Sequence, residues 1–260
     1  MTDACPDALI RFAEQLAEAS GPILRRHFRT PVAVDTKPDR TPVTVADREA
    51  ESAMRALIEA HHPAHGVVGE EHGTLRRDAE YVWVLDPIDG TKAFITGKPM
   101  FGTLIALVRH GVPILGIVDQ PVLGERWVGA SGRPTTFNGA PCRTRICHDL
   151  DKAVLNATSP DMFRGENAAS FARLAQSVRL TLYGGDCYAY GLLASGFIDL
   201  VVEADLKPYD FCALVPVIRG AGGAVADWHG RPVTLDTDGR VVAAGDPQLL
   251  PRTVEALAAP

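Results

Sequence analysis

No CxxC pair occurs among the five cysteines, Cys5, Cys142, Cys147, Cys187 and Cys212. Their odd number and scattered spacing exclude a zinc-ribbon or disulfide framework, and the expectation is reduced thiols in a cytoplasmic protein. No apolar run approaches the ~20 residues that span a bilayer. The N-terminal stretch MTDACPDALIRFAEQ is acidic and has no apolar core segment, so no signal peptide and no membrane association are expected. Basic residues are not in excess: 26 Lys and Arg stand against 32 Asp and Glu, for a net charge of −6. The eight neutral His do not change that sign, which argues against nucleic acid as the main ligand. GxSxG, the strand-to-helix turn that carries a nucleophilic serine, does not occur. The glycines of RGAGG (219–223) follow a helical pattern rather than opening one after a strand, so they do not read as a dinucleotide fingerprint. No internal repeat, low-complexity tract or disordered linker is visible.

What is present reads as an ordinary globular chain. Apolar residues make up 46% and charged residues 22% of 260, enough for one large domain or two closely packed halves. Residues 7–28 and 43–62 carry apolar positions at helical spacing. TPVAVDTKPDRTPVT (30–44) is Pro-rich, with a turn expected around Pro38-Asp39. VVGEE (67–71) and YVWVLD (81–86) read as strands that end in acids. Three β-rich runs across 103–131 read as an antiparallel meander, and Asn138-Gly139 as a tight turn. The second half alternates: strands at 152–158, 179–185, 198–204 and 240–245, helices at 166–177, 187–196, 210–223 and 247–259. The fold class is therefore α/β or layered α+β. A division near 145–152 gives an N-terminal half, 1–148, and a C-terminal half, 149–260, packed as one unit.

YVWVLDPIDGT (81–91) poses the sharpest question. An apolar run ends in two acids, Asp86 and Asp89. Two carboxylates ~5 Å apart repel by about 3 kcal/mol at an effective dielectric near 20, and desolvation adds to this. A cation would offset both. The carboxylates and the Ile88 carbonyl between them are hard oxygen donors, the class that selects Mg²⁺. Thr91 adds a hydroxyl, and the amides of Gly90 and Thr91 are candidate oxyanion donors. DxxDG alone is a common turn. DPIDGT after an apolar strand, with GEE (69–71) after another, is far more specific.

With PVTVAD (42–47), GGDCYA (184–189) and PYDFCALVPVIRGAGG (208–223) in the same order, the chain resembles the inositol monophosphatase family of Mg²⁺-dependent, lithium-sensitive phosphatases. Tyr209 stands where that family usually has Trp. The resemblance implies an αβαβα sandwich and a homodimer. It implies that Glu70, Asp86 and the Ile88 carbonyl bind one Mg²⁺, that Asp86, Asp89 and Asp210 bind a second, and that a third sits near Glu70 through waters. Asp47 and Thr91 would orient and deprotonate the attacking water, and the Gly90 and Thr91 amides would hold phosphate oxygens. The charge balance agrees: five acids and a phosphate of about −2 meet about +4 to +6 from two or three divalent ions. The reaction expected is hydrolysis of a small phosphate monoester without a covalent intermediate.

The segment 92–129, with ITGKP, FGTLIAL and PILGIVDQP, looks like the histidinol-phosphatase branch of that family. By family position Asp186, Gly185 and Glu203 face the organic end of the substrate. Histidinol phosphate presents an ammonium and an imidazole there, which carboxylates bind by charge-assisted hydrogen bonds. Asp186 is also a suitable N-cap for a helix starting at Cys187. Lys92 either touches phosphate or points to solvent. An inositol-1-phosphate or broad sugar-phosphate phosphatase is the alternative, and an interaction module of the transcription machinery is a further, non-enzymatic one. HHPAH (61–65), at a helix end, reads as solvent-exposed histidines rather than a metal site, and Cys187 and Cys212 as small buried residues.

Overall fold

The computed structural model describes residues 4–31, 34–36 and 42–258. The turn expected around Pro38-Asp39 lies outside them. The first amphipathic segment forms α1 (Asp7–His27), which buries Phe12, Ala13, Leu16 and Ala17 on one face. A short antiparallel pair, β1 (Val34–Thr36) and β2 (Pro42–Thr44), leads into α2 (Val45–His61). There follow β3 (Gly66–Gly69), β4 (Gly73–Leu75), β5 (Tyr81–Asp89), α3 (Thr91–Ile95), β6 (Gly102–Arg109), β7 (Val112–Gln120), β8 (Glu125–Ala130), β9 (Thr136–Phe137) and β10 (Ala140–Pro141). Among the described residues these strands make an eight-stranded sheet in the order β10-β9-β8-β7-β6-β5-β3-β4, antiparallel except where β3 runs beside β5.

The second sheet is built from β11 (Val154–Ala157), β12 (Leu180–Tyr183), β13 (Leu200–Glu203), β14 (Ala224–Asp227) and β15 (Val241–Ala244), in the order β12-β11-β13-β15-β14. Its helices are α4 (Glu166–Ser177), α5 (Asp186–Ala194), α6 (Pro208–Phe211), α7 (Leu214–Gly220) and α8 (Leu249–Ala258). Helices α1 and α2 cover the outer face of the large sheet, α5 and α7 lie between the sheets, and α4 and α8 cover the far face of the small one. This is the layered αβαβα order.

Strand alternation explains why five layers form. On β5, Val82 and Val84 pack towards the inner helices while Trp83 and Leu85 pack towards α1 and α2. On β15, Val241 and Ala243 face inwards and Val242 and Ala244 face α8. Strands buried on both faces read as unbroken apolar runs, and each fully buried aliphatic side chain contributes about 1.5–3 kcal/mol.

Several boundaries differ from the sequence reading. The strand expected over 67–71 stops at Gly69, and the one expected over 81–86 continues to Asp89. The helix expected over 210–223 is two helices, α6 and α7, divided at Cys212 and Ala213. Pro216 accounts for the break. It has no N–H to give to the carbonyl of Cys212, and its ring crowds that carbonyl. The strands β4 and β14 carry no strong pattern and were not expected. Asn138 and Gly139, with φ of 48° and 80°, form the tight turn between β9 and β10 as expected.

The exposed-histidine reading of residues 61–65 holds for His61 but not for its neighbours. His62 and His65 stack with ring centroids 4.6 Å apart, and Trp83 Nε1 donates to His65 Nδ1 at 3.1 Å. Burial lowers the pKa of both rings and so favours their neutral form. Cys187 and Cys212 are buried.

Candidate active site

The DPIDGT segment owes its geometry to a bulge. Asp86 stands opposite Leu104 on β6, and Asp89 opposite Gly102. Three steps along β5 therefore face two along β6, so one extra residue is accommodated. In an unbroken strand residues three apart point to opposite faces. The bulge removes that mismatch. Asp86, Asp89 and Asp210 each offer an oxygen, and these oxygens lie within 4.8 Å of one another. Local bonds hold the turn: Ile88 N–H donates to Asp86 Oδ1 at 3.0 Å, the Thr103 hydroxyl to the Pro87 carbonyl at 2.8 Å, and the Thr91 hydroxyl to the Ile88 carbonyl at 3.1 Å. Gly90 has a φ of 90° and starts α3. A Cβ there would stand 3.1 Å from the Asp186 carboxylate and from the Met100 carbonyl.

Distant segments supply the other acids. Glu70 follows β3, and its N–H donates to the Leu85 carbonyl at 3.2 Å, which sets it beside Asp86. Glu70 and Asp210 both act electrostatically on Asp86. Asp210 occupies the first turn of α6, where it also accepts the Lys207 N–H at 2.7 Å. Asp47 lies in the first turn of α2, buried, with Glu70 acting on it electrostatically. Its Oδ2 closes a capping box with the Thr44 N–H at 2.8 Å and accepts the Thr44 hydroxyl at 2.6 Å. Its Oδ1 is buried with no hydrogen-bond partner. Thr91 and Asp47 are not hydrogen-bonded to each other. The capping role was legible as T-x-x-D before an apolar helix.

Burial first, then Glu70, Asp89 and Asp210, push the Asp86 pKa well above the ordinary carboxylate value. Burial, followed by Asp186 and Asp210, does the same for Asp89. Burial chiefly raises Asp210 to about 7. Hard oxygens crowd together here with no thiolate or imidazole among the cluster's ligands. That donor set fits a divalent cation such as Mg²⁺, which would remove the mutual repulsion.

A small cavity of about 100 Å³ adjoins the cluster, lined in part by Asp89, Thr158, Met162, Asp186, Glu203 and Asp210. Gly185 is the N-cap of α5, with a φ of 107°. The helix starts at Asp186, not Cys187, and no side chain caps it locally, which corrects the N-cap reading of Asp186. The acceptor comes from across the fold instead: Asp89 Oδ2 takes the Cys187 N–H at 2.5 Å. Asp186 has a φ of 42°, rare for a non-glycine residue. Its pKa is raised to about 7 by burial and then by Glu203, with Lys92 opposing. Lys92 is exposed, yet near enough to exert that effect.

A model of the inositol monophosphatase family matches residues 6–259. The chain belongs to that family. Its members are metal-dependent phosphatases acting on phosphate esters, and this chain is such an enzyme. The bifunctional phosphatase IMPL2, chloroplastic, of Arabidopsis thaliana is 49% identical over 99% of the chain and 77% of the relative. A histidinol-phosphatase of Mycobacterium tuberculosis is 36% identical over 85% of the chain and 88% of the relative. A solved inositol monophosphatase from Zymomonas mobilis superposes with a TM-score of 0.90 at 50% identity, covering 97% of this chain and 98% of that one. Among the described residues no helix is long and apolar enough to cross a membrane.

The two residues of the phosphatase's cavity that hold Glu203 are not among those the sequence singles out. Thr158 N–H donates to Glu203 Oε1 at 2.9 Å, and the Tyr190 hydroxyl to Glu203 Oε2 at 2.9 Å. The spacing of Asp186 and Tyr190, one helical turn apart, was the available signal for the second. For Thr158, a backbone donor at the end of a strand, no signal exists in the sequence.

Proposed function

We propose that this phosphatase hydrolyses histidinol phosphate to histidinol and phosphate, in histidine biosynthesis. The observation that carries the reading is the pair Asp186 and Glu203, two carboxylates lining one small cavity beside the acid cluster. An inositol ring offers such a pair only hydroxyls. Histidinol offers cationic donors, and charge-assisted bonds to them are the stronger. Similarity to a relative named histidinol-phosphatase supports the same substrate.

In this reading Glu70, Asp86, Asp89, Asp210 and the Ile88 carbonyl hold two or three Mg²⁺. When bound, these ions supply charge neutralisation and lower the pKa of water. The unpartnered Oδ1 of Asp47 accepts a proton from the attacking water, whose oxygen bonds to phosphorus as the bond to the ester oxygen breaks in line, and the departing alkoxide takes a proton from solvent water to leave as histidinol. Thr91 orients that water, and the Gly90 and Thr91 amides hold phosphate oxygens. Asp186 and Glu203, with Gly185 shaping the α5 N-terminus, receive the organic end. Residues of the half 1–148 supply most metal ligands, and 149–260 completes the site with Asp210. The enzyme acts as a cytoplasmic homodimer, a compartment with which its free thiols agree.

The test is phosphate release with Mg²⁺ from histidinol phosphate, inositol 1-phosphate, fructose 1,6-bisphosphate and adenosine 3′,5′-bisphosphate in parallel. Histidinol phosphate is expected to lead in kcat/KM by at least about tenfold. A smaller lead would favour a broad sugar-phosphate or inositol-1-phosphate phosphatase.

A further inference from the structure

Glu51 lies on α2 one turn beyond Asp47 and is fully buried. A buried carboxylate is unfavourable unless donors surround it. Here two of its three donors come from the loop that carries Glu70, and the third, Arg55, comes from α2 itself. Glu51 Oε2 accepts the Glu71 N–H at 2.7 Å, and Oε1 accepts the His72 N–H at 3.1 Å and Arg55 Nε at 2.7 Å. Arg55 in turn donates through Nη2 to the Gly73 carbonyl. The His72 ring bonds the Ser52 hydroxyl at 2.9 Å and the Arg48 carbonyl at 3.1 Å. Residues 71, 72 and 73 are thus each tied to α2. On the other side of Glu70 there is no slack either: a Cβ on Gly69 would stand 2.0 Å from Glu51 Oε1.

We propose that Glu51 is a positioning residue that locks the Glu70 loop onto α2 and thereby sets the affinity of the acid cluster for its divalent cation. Glu70 is held by the sheet through Leu85 and by α2 through the two amides that follow it. Asp47 is fixed on the same helix by Thr44. The two acids therefore move as one piece, and Glu51 is the joint between them. The proposal rests on the reading that Glu70 is a metal ligand and is independent of the substrate.

The probe is Mn²⁺ alone, titrated calorimetrically into the whole protein, with amide hydrogen exchange at residues 70–73 as a second readout. Glu51→Gln keeps the size of the side chain but turns an N–H towards the loop or towards Arg55. It is expected to weaken Mn²⁺ binding about tenfold, in the range seen for groups that orient metal ligands, and to speed exchange at 71 and 72. In a Glu70→Gln background the same change should alter affinity less than about twofold, because its effect passes through Glu70. Full additivity, or an unchanged affinity in the single variant, overturns the proposal. Should Glu51→Gln not fold, Arg55→Gln, which removes the tie to Gly73, must show the same Glu70-dependent loss, and an unchanged affinity there overturns it equally. Glu70→Gln alone reports on the ligand role itself: no loss in that variant refutes the underlying reading rather than the joint.

Discussion

The Tyr190 hydroxyl is bonded to Glu203 Oε2 at 2.9 Å, and both groups are buried. With the Thr158 amide on the other oxygen, the Glu203 carboxylate has a single orientation in the cavity. Tyr190→Phe leaves a buried acceptor one donor short, a loss of about 1–3 kcal/mol in stability. The proposed function adds a sharper expectation. KM for histidinol phosphate should rise roughly tenfold while kcat stays within about twofold, the pattern of lost uniform binding. Steady-state kinetics check this, and an equal fall in kcat would contradict the positioning role of Tyr190.

Asp89→Asn should reduce kcat by more than about a hundredfold without unfolding the protein. An amide oxygen can still accept the Cys187 N–H. It also removes one charge from a crowded cluster, so the metal-free variant should melt at a higher temperature than the wild type. Phosphate release and thermal melts in EDTA measure the two effects. Near-normal turnover would remove Asp89 from the machinery.

Asp186→Asn should weaken histidinol phosphate by about 2–4 kcal/mol in kcat/KM, relative to a neutral ester. The comparison uses the two esters on the same variant. Equal losses on both would leave Asp186 with no part in choosing the substrate.

The pH dependence has a definite sign. Asp186 and Asp210 have folded-state pKa values raised to about 7, and unfolded aspartates titrate near 4. Between about pH 4 and 7 the metal-free folded protein binds more protons than the unfolded chain, so stability falls as pH rises through that window. It is fully present below the window and lost above it. Divalent cations bound among these carboxylates would take over the role of the protons. The gain in Tm on adding Mg²⁺ should therefore be larger at pH 8 than at pH 5.5. A gain that is independent of pH would contradict the clustering of raised acids.

Gly116→Ala tests the seam between the large sheet and α7. A Cβ at Gly116 would stand 1.8 Å from the Ala213 carbonyl oxygen, a backbone atom that cannot swing aside. Overpacking of this kind costs about 1–3 kcal/mol. Because Ala213 follows α6, which carries Asp210, activity should fall along with stability. Denaturant unfolding and phosphate release measure the two losses, and a variant as stable as the wild type would mean that α7 shifts freely on the sheet.

Much of this is legible in the sequence. The apolar runs of β5 to β8 announce buried strands, and the order PVTVAD, GEE, DPIDGT, GGDCYA and PYDF names the acids. The helix boundaries at Glu166 and Ser177 follow the pattern of the sequence closely. What misled was local chemistry with distant causes. The helix from 210 onwards looks continuous in composition, and Pro216 divides it. Asp186 looks like a cap, yet Asp89, nearly a hundred residues earlier, accepts the N–H that a cap would take.

The sequence by itself determined the donor inventory: hard carboxylate oxygens in a fixed order, on segments whose apolar period commits them to strands and helices. Only the tertiary structure decided that these oxygens meet. Asp86 and Asp89 are brought to one face by a bulge that exists only because β6 offers two residues against three. Glu70 reaches Asp86 because β3 lies parallel to β5. Pairing register is a relation between strands, and no single strand's residue types encode it.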